Sequence, residues 1–211
     1  MSWWYKLSDT LIGEVMEQEV EKFLNILDGD RLKLNCNFAS LYVLYYECLK
    51  DALIDLPKTF FNQMEIKDGE IFVRESYTYK KNVKQLDKNI ENASLKWFVS
   101  QGAVSEEEYF NFDRLRKFRN KIVHELLLYL TEGFTEDKVA YLEELIMLYK
   151  KIEKWWINEI EIPISGNIHE SYDSENVVSD QGLMLEIIQD VLLNDGKNSE
   201  EILSELYKLY K

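Results

Sequence analysis

Residues Asn37 to Leu56 read NFASLYVLYYECLKDALIDL, with neither glycine nor proline. Apolar side chains (Phe38, Leu41, Tyr42, Val43, Leu44, Tyr45, Tyr46, Leu49, Leu53, Ile54) fall on nearly every side of a helical wheel, the mark of a helix with neighbours all round it. This segment is expected to be the most buried helix, and Pro57 is its expected stop. Upstream, from an N-cap at Ser8 or Asp9, Leu11, Ile12, Val15, Met16, Val20, Phe23, Leu24 and Leu27 recur at helical spacing up to Asp28-Gly29-Asp30, predicting a first amphipathic helix.

Downstream, Met64 to Val73 place Asp68-Gly69 between two β-prone stretches and predict a small hairpin inserted between helices. Helical periodicity returns from about Tyr79 to Phe98 and breaks at Gly102. Ser105 followed by Glu106, Glu107 and Glu108 reads as a capped helix start, with the helix expected to reach Thr131 before Gly133. Thr135 caps another expected helix that Pro163 ends. A polar loop to Gly182 and helical stretches near Leu183–Leu193 and Ser199–Tyr210 complete the reading. The expected fold class is all-α: an up-and-down helical bundle with a small β-hairpin insertion and a helical C-terminal appendage.

Composition agrees. The 211 residues are 46% apolar, and only two prolines and eight glycines punctuate them, too few turn residues for an all-β fold. A folded chain of this size buries roughly 70% of its unfolded surface and needs no metal or disulfide staple. Cys36 and Cys48 form no C-x-x-C pair and there are two histidines, so zinc ribbons, fingers and a disulfide framework are excluded, and no metal or cofactor is expected. The longest wholly apolar run, Leu41 to Tyr46, is too short to span a bilayer, and Met1 to Asp9 carries no signal-peptide stretch; a soluble, cytoplasmic protein is expected.

A net charge of −14 argues against coating nucleic acid through the overall field, and makes a local cationic cluster the informative feature. That cluster is Arg114-Leu115-Arg116-Lys117-Phe118-Arg119-Asn120-Lys121-Ile122-Val123-His124. On a helix, Leu115, Phe118, Ile122, Leu126 and Tyr129 gather on a core face, and His124 points roughly opposite with Asn120 one turn before it. Val123 and Leu127 beside this pair form a second, partly apolar face that calls for a partner surface. Arg119 projects from the flank of the core stripe, and only its long side chain brings the guanidinium towards the same groove.

Arg119-Asn120-Lys121-Ile122-Val123-His124 resembles the Arg-polar-x-x-x-His signature of the HEPN superfamily, in which the motif lies on a late helix of an all-α bundle. The resemblance covers roughly residues 9–161 and leaves 162–211 as a polar linker and C-terminal helical appendage. It implies a metal-independent endoribonuclease, often a toxin or an antiviral-defence component, that acts as a homodimer with two motifs facing one cleft. Leu126 stands where the branch paired with minimal nucleotidyltransferases has a modifiable tyrosine, and Tyr129 falls on the expected core face.

The chemistry suits that implication. Metal-free RNA cleavage by the 2′-hydroxyl needs a base, an acid for the leaving 5′-oxygen and cations on the phosphorane. Two copies of His124 supply base and acid, Arg119 the cation and Asn120 the orientation, which makes the dimer part of the mechanism. Arg116, Lys117 and Lys121 are candidate substrate contacts against the plainer reading of a solvated charged face. An antitoxin or defence-system protein covering the cleft is the expected partner beyond RNA. The competing reading is a catalytically inactive HEPN-like module for dimerisation, nucleotide binding or protein interaction. His169 reads as a loop residue, Trp3-Trp4-Tyr5 and Trp155-Trp156 as core or interface anchors, and Cys36 and Cys48 as small packing groups.

Overall fold

In the computed structural model, residues 16–17, 19–67, 70–166, 172–194 and 196 are described, and these are helical apart from one antiparallel strand pair and the connections. The expectations at Ser8 to Val15, Trp3-Trp4-Tyr5, Asp68-Gly69, His169 and Ser199–Tyr210 lie outside the described residues. No helix among the described residues is long and apolar enough to cross a membrane.

The central helix, α2, runs from Gly29 to Phe61, eight residues earlier and five later than Asn37–Leu56. Its early start is explained by Asp28, which separates it from α1 (residues 19–27) and caps α2 by accepting from the Arg31 backbone N–H at 3.0 Å. Pro57 sits inside α2 and does not end it. A missing N–H and a ring clash cost about 3 kcal/mol in a helix interior, which the burial of Leu49, Leu53 and Pro57 itself offsets. Leu41, Tyr42, Tyr45, Leu49 and Leu53 have no solvent exposure, as expected for a helix apolar on all sides.

Three tyrosines tie α2 to its neighbours by donating their hydroxyls: Tyr42 to Leu115 O (3.1 Å), Tyr45 to Gln189 Oε1 (2.8 Å) and Tyr46 to Glu91 Oε2 (2.6 Å). Burial pushes all three phenols well above the ordinary tyrosine range, so they remain neutral donors.

After α2, β1 (Gln63–Lys67) pairs antiparallel with β2 (Glu70–Arg74), Met64 opposite Val73 and Ile66 opposite Ile71. The expected continuous helix from Tyr79 to Phe98 is in fact two: α3 (Tyr77–Asn82), capped by Ser76, and α4 (Ile90–Ser100), capped by Asn89, with a 3-10 turn at Lys84–Leu86 between them. Asn89 satisfies the Asn92 N–H that a single helix would have satisfied itself, and Ser76 caps the Tyr79 N–H at the start of α3.

Helix α5 (Glu106–His124) begins as expected, with the Ser105–Glu108 capping box complete, but it stops at His124 and not at Thr131. Glu125 leaves helical geometry (φ −119°, ψ 29°), and a separate short helix, α6 (Leu126–Glu132), follows it. The break lets Tyr129 stack on Phe134 with ring planes 3° apart and meet Phe118 edge-on. It also delivers the terminal carbonyls of α6 to donors from the N-terminal region: Leu130 O to Asn35 Nδ2 (3.1 Å), Thr131 O to Asn25 Nδ2 (2.8 Å) and Glu132 O to Arg31 Nη2 (3.1 Å). Gly133 follows at φ 86°, ψ −169°, a conformation that favours glycine.

Helix α7 (Glu136–Trp156) passes through a π-helical segment (Ile157–Glu161) into α8 (Ile162–Ser165), so Pro163 lies in the first turn of a further helix and the chain leaves helical geometry at Gly166. Trp156 is buried among Phe60, Trp97 and Phe98. Helix α9 (Asp180–Asn194) starts three residues before Leu183 and packs on α2 through Leu185, the Tyr45–Gln189 bond and Asn37 Nδ2 to Leu192 O (2.7 Å). Cys48 is buried and accepts a bond from Gln181; Cys36 is half-buried, and both are free thiols.

Candidate functional site

The site is built on the last turns of α5. Leu115, Phe118 and Ile122 are buried against the core and fix the helix rotation about its axis. With that rotation set, Asn120 and His124, four residues apart, share the solvent face and are both exposed. The side chains of His124 and Lys121 make no hydrogen bond or ion pair with any described residue. Leu126 was expected on the core face; because the helix breaks at Glu125 it is instead 42% exposed. Val123 (47%) and Leu127 (70%) are also exposed, so an apolar strip borders His124.

Arg119 behaves differently from its polar neighbours. Its side chain lies back across α2, where Nη2 donates to Glu47 Oε1 and the guanidinium sits 5.6 Å from the centre of the Tyr46 ring. Nη1 reaches Asn120 Oδ1 at 3.2 Å. Arg119 and Asn120 are therefore in direct contact, and His124 stands one turn further on. The Nε–H of Arg119 is buried and has no acceptor among the described residues.

Glu47 holds Arg119 with one oxygen and Lys50 with the other. Partial burial opposes its ionisation, but hydrogen bonds and charge from Lys50 and Arg119 prevail and keep the carboxyl below the usual glutamate range. Sequence reasoning passed over Glu47 because acids are abundant in this chain. The available signal was its isolation: between Phe38 and Cys48 it is the only charged residue.

The other cations of the cluster divide into committed and uncommitted. Arg116 donates to Asn92 Oδ1 (3.0 Å) and Asp113 Oδ1 (2.6 Å) and is largely covered, so it joins α5 to α4. Arg114 pairs with Glu144 at 2.5 Å and lies 4.7 Å from the centre of the Tyr141 ring. Lys117 is well exposed and pairs with Asp113 at 2.7 Å. Hydrogen bonds from Lys117 and then Arg116 hold the Asp113 carboxyl below its ordinary range. Among the six named positions, the structure brings Arg119 and Asn120 into contact and leaves His124 and Lys121 open. Arg116 and Lys117 are engaged by acids of the protein itself.

Among the described residues no group of three or more His, Cys, Asp or Glu gathers as a metal-ligand set. Comparison with family models, with curated proteins and with solved structures gave no match. The functional reading therefore stands on the residues and their geometry.

Proposed function

We propose that this protein is a metal-independent endoribonuclease of HEPN type, acting as a homodimer in the cytoplasm as part of a toxin–antitoxin or phage-defence system. The observation that carries the reading is the exposed His124, without a partner among the described residues, beside the Arg119–Asn120 contact and bordered by the apolar Val123 and Leu127. A solvated surface explains the histidine but not the apolar strip, whereas a second copy of the chain accounts for both.

In the proposed reaction one His124 takes the proton of the RNA 2′-hydroxyl as that oxygen attacks phosphorus. The bond from phosphorus to the 5′-oxygen breaks, and the His124 of the second copy gives that oxygen its proton. Arg119 and Asn120 bear on the phosphate oxygens as negative charge grows there. Lys121 is the open cation for the flanking backbone; Lys117 and Arg116 would have to exchange their carboxylate partners to serve the same end.

The test is cleavage of a single-stranded RNA in the presence of a chelator. Wild type is expected to yield 2′,3′-cyclic phosphate ends, and His124→Ala to lose at least about 10²-fold in rate with an unchanged melting temperature. Undiminished cleavage by His124→Ala rejects the assignment. One observation favours the second reading, a catalytically silent dimerisation or binding module: the Arg119 guanidinium already has a carboxylate partner in Glu47. That reading predicts no RNA cleavage by the wild type.

A further inference from the structure

We propose that Glu47 is a positioning residue of the RNA-cleaving centre, its carboxylate and the neighbouring Tyr46 ring fixing the Arg119 guanidinium against Asn120, one turn before His124. The inference rests on the ribonuclease reading and deepens it.

An arginine side chain carries about 2 kcal/mol of rotamer entropy, so a guanidinium kept ready for a phosphate must be held by something. Arg119 leaves α5 on the flank of its buried stripe, and nothing on its own helix holds it there except Asn120. Consecutive residues of α2 supply the rest: Tyr46 the ring beneath it and Glu47 the charge. Both are themselves fixed. The Tyr46 hydroxyl is bound to Glu91, and Glu47 projects from a helix that Tyr42, Tyr45, Leu49 and Leu53 anchor in the core.

The form of the ion pair matters as much as its presence. A carboxylate that grips arginine with both oxygens uses the fork that would otherwise receive a phosphate. Here Lys50 occupies Oε2, so Glu47 meets Arg119 through Oε1 alone. Protons on Nη1 and Nη2 remain for a further acceptor. The Nε edge is closed off, with no acceptor among the described residues.

A fixed negative charge beside the phosphate site weakens ground-state binding while improving orientation, so its removal separates the two. With a single-stranded RNA oligonucleotide as substrate, Glu47→Gln is expected to lower kcat about 10-fold or more with KM unchanged or reduced. Because Glu47 acts through Arg119, the double variant Glu47→Gln/Arg119→Ala should cleave no more slowly than Arg119→Ala alone. The Glu47 side chain is about one-third exposed and glutamine is isosteric, so the melting temperature should hold.

Three results overturn the proposal: an unchanged kcat in Glu47→Gln while His124→Ala is inactive, losses that add in the double variant, or unfolding of Glu47→Gln while Arg119→Ala remains folded. These leave the ribonuclease reading intact. A wild type no more active than His124→Ala overturns the reading and the proposal together.

Discussion

Helices α2 and α5 pack on each other, yet they treat polar groups in opposite ways. Along α2 the hydroxyls of Tyr42, Tyr45 and Tyr46 are each bound to a different element, and Leu41, Leu49 and Leu53 on the same helix have no exposure. At the end of α5, His124 and Lys121 project into solvent with no partner among the described residues, beside exposed Val123 and Leu127. A core spends its hydrogen-bonding capacity, since an unpaired buried group is costly. A surface that holds polar groups unspent next to apolar ones is arranged for something outside the monomer. Arg119 bridges the two regimes: it is rooted on α2 through Glu47 and touches Asn120 on the open face.

The contrast breaks most severely at the core. Leu49→Ala removes a side chain with no exposure and is expected to cost about 2–5 kcal/mol of stability. Chemical denaturation would read this as a lowered midpoint, and an unchanged midpoint would mean that α2 is not the central element.

Much of this division was legible in the sequence. The all-round apolarity of Asn37–Leu56 marked the central helix, and Ser105 with Glu108 marked the start of α5 because a capping box is a local device. The alternation of Leu115, Phe118 and Ile122 then fixed which face of α5 is buried, and hence that Asn120 and His124 look outward. What escaped notice depends on partners distant in sequence. No glycine or proline marks the break at Glu125; it is held by Asn25, Arg31 and Asn35, which lie about a hundred residues upstream of the carbonyls they cap. Pro57 looked like a stop because propensity weighs a residue alone, whereas the burial of Pro57 itself, one turn after buried Leu53, carries the helix through it. The role of Glu47 exists only once α5 lies across α2.

On the open face the effects should fall on association and catalysis rather than on folding. Leu127→Asp places a charge on the exposed apolar strip and is expected to leave the denaturation midpoint within about 0.5 kcal/mol of wild type when both are diluted to monomer, so that loss of the dimer does not itself shift it. The same change should shift the protein to monomer in sedimentation and lower RNA cleavage in step. A dimer that survives Leu127→Asp would move the interface elsewhere.

The smallest expected effect concerns the ion pairs that anchor α5 at both ends. Glu108 is held below its ordinary range because, although burial opposes it, bonds from Lys151 and Ser105 prevail; Asp113 is lowered by Lys117 and Arg116, and Glu47 by Lys50 and Arg119. Folded values lie below unfolded ones, so this stabilisation is complete at neutral pH, above the unfolded carboxylate range, and is lost as pH falls through the folded values. Thermal melts should be flat from pH 7 to about 5 and decline below about 4. A melting temperature that rises on acidification would remove these pairs from the account.

The central claim is that two His124 side chains, one from each copy, serve one scissile linkage. It is tested most directly by refolding wild type together with a growing excess of His124→Ala, so that mixed dimers form, and measuring RNA cleavage per wild-type subunit. Shared histidines predict that this specific activity falls in proportion to the wild-type fraction, because only dimers with two intact copies turn over. A specific activity that stays constant at every mixing ratio would show that each chain cleaves alone, and would contradict the account.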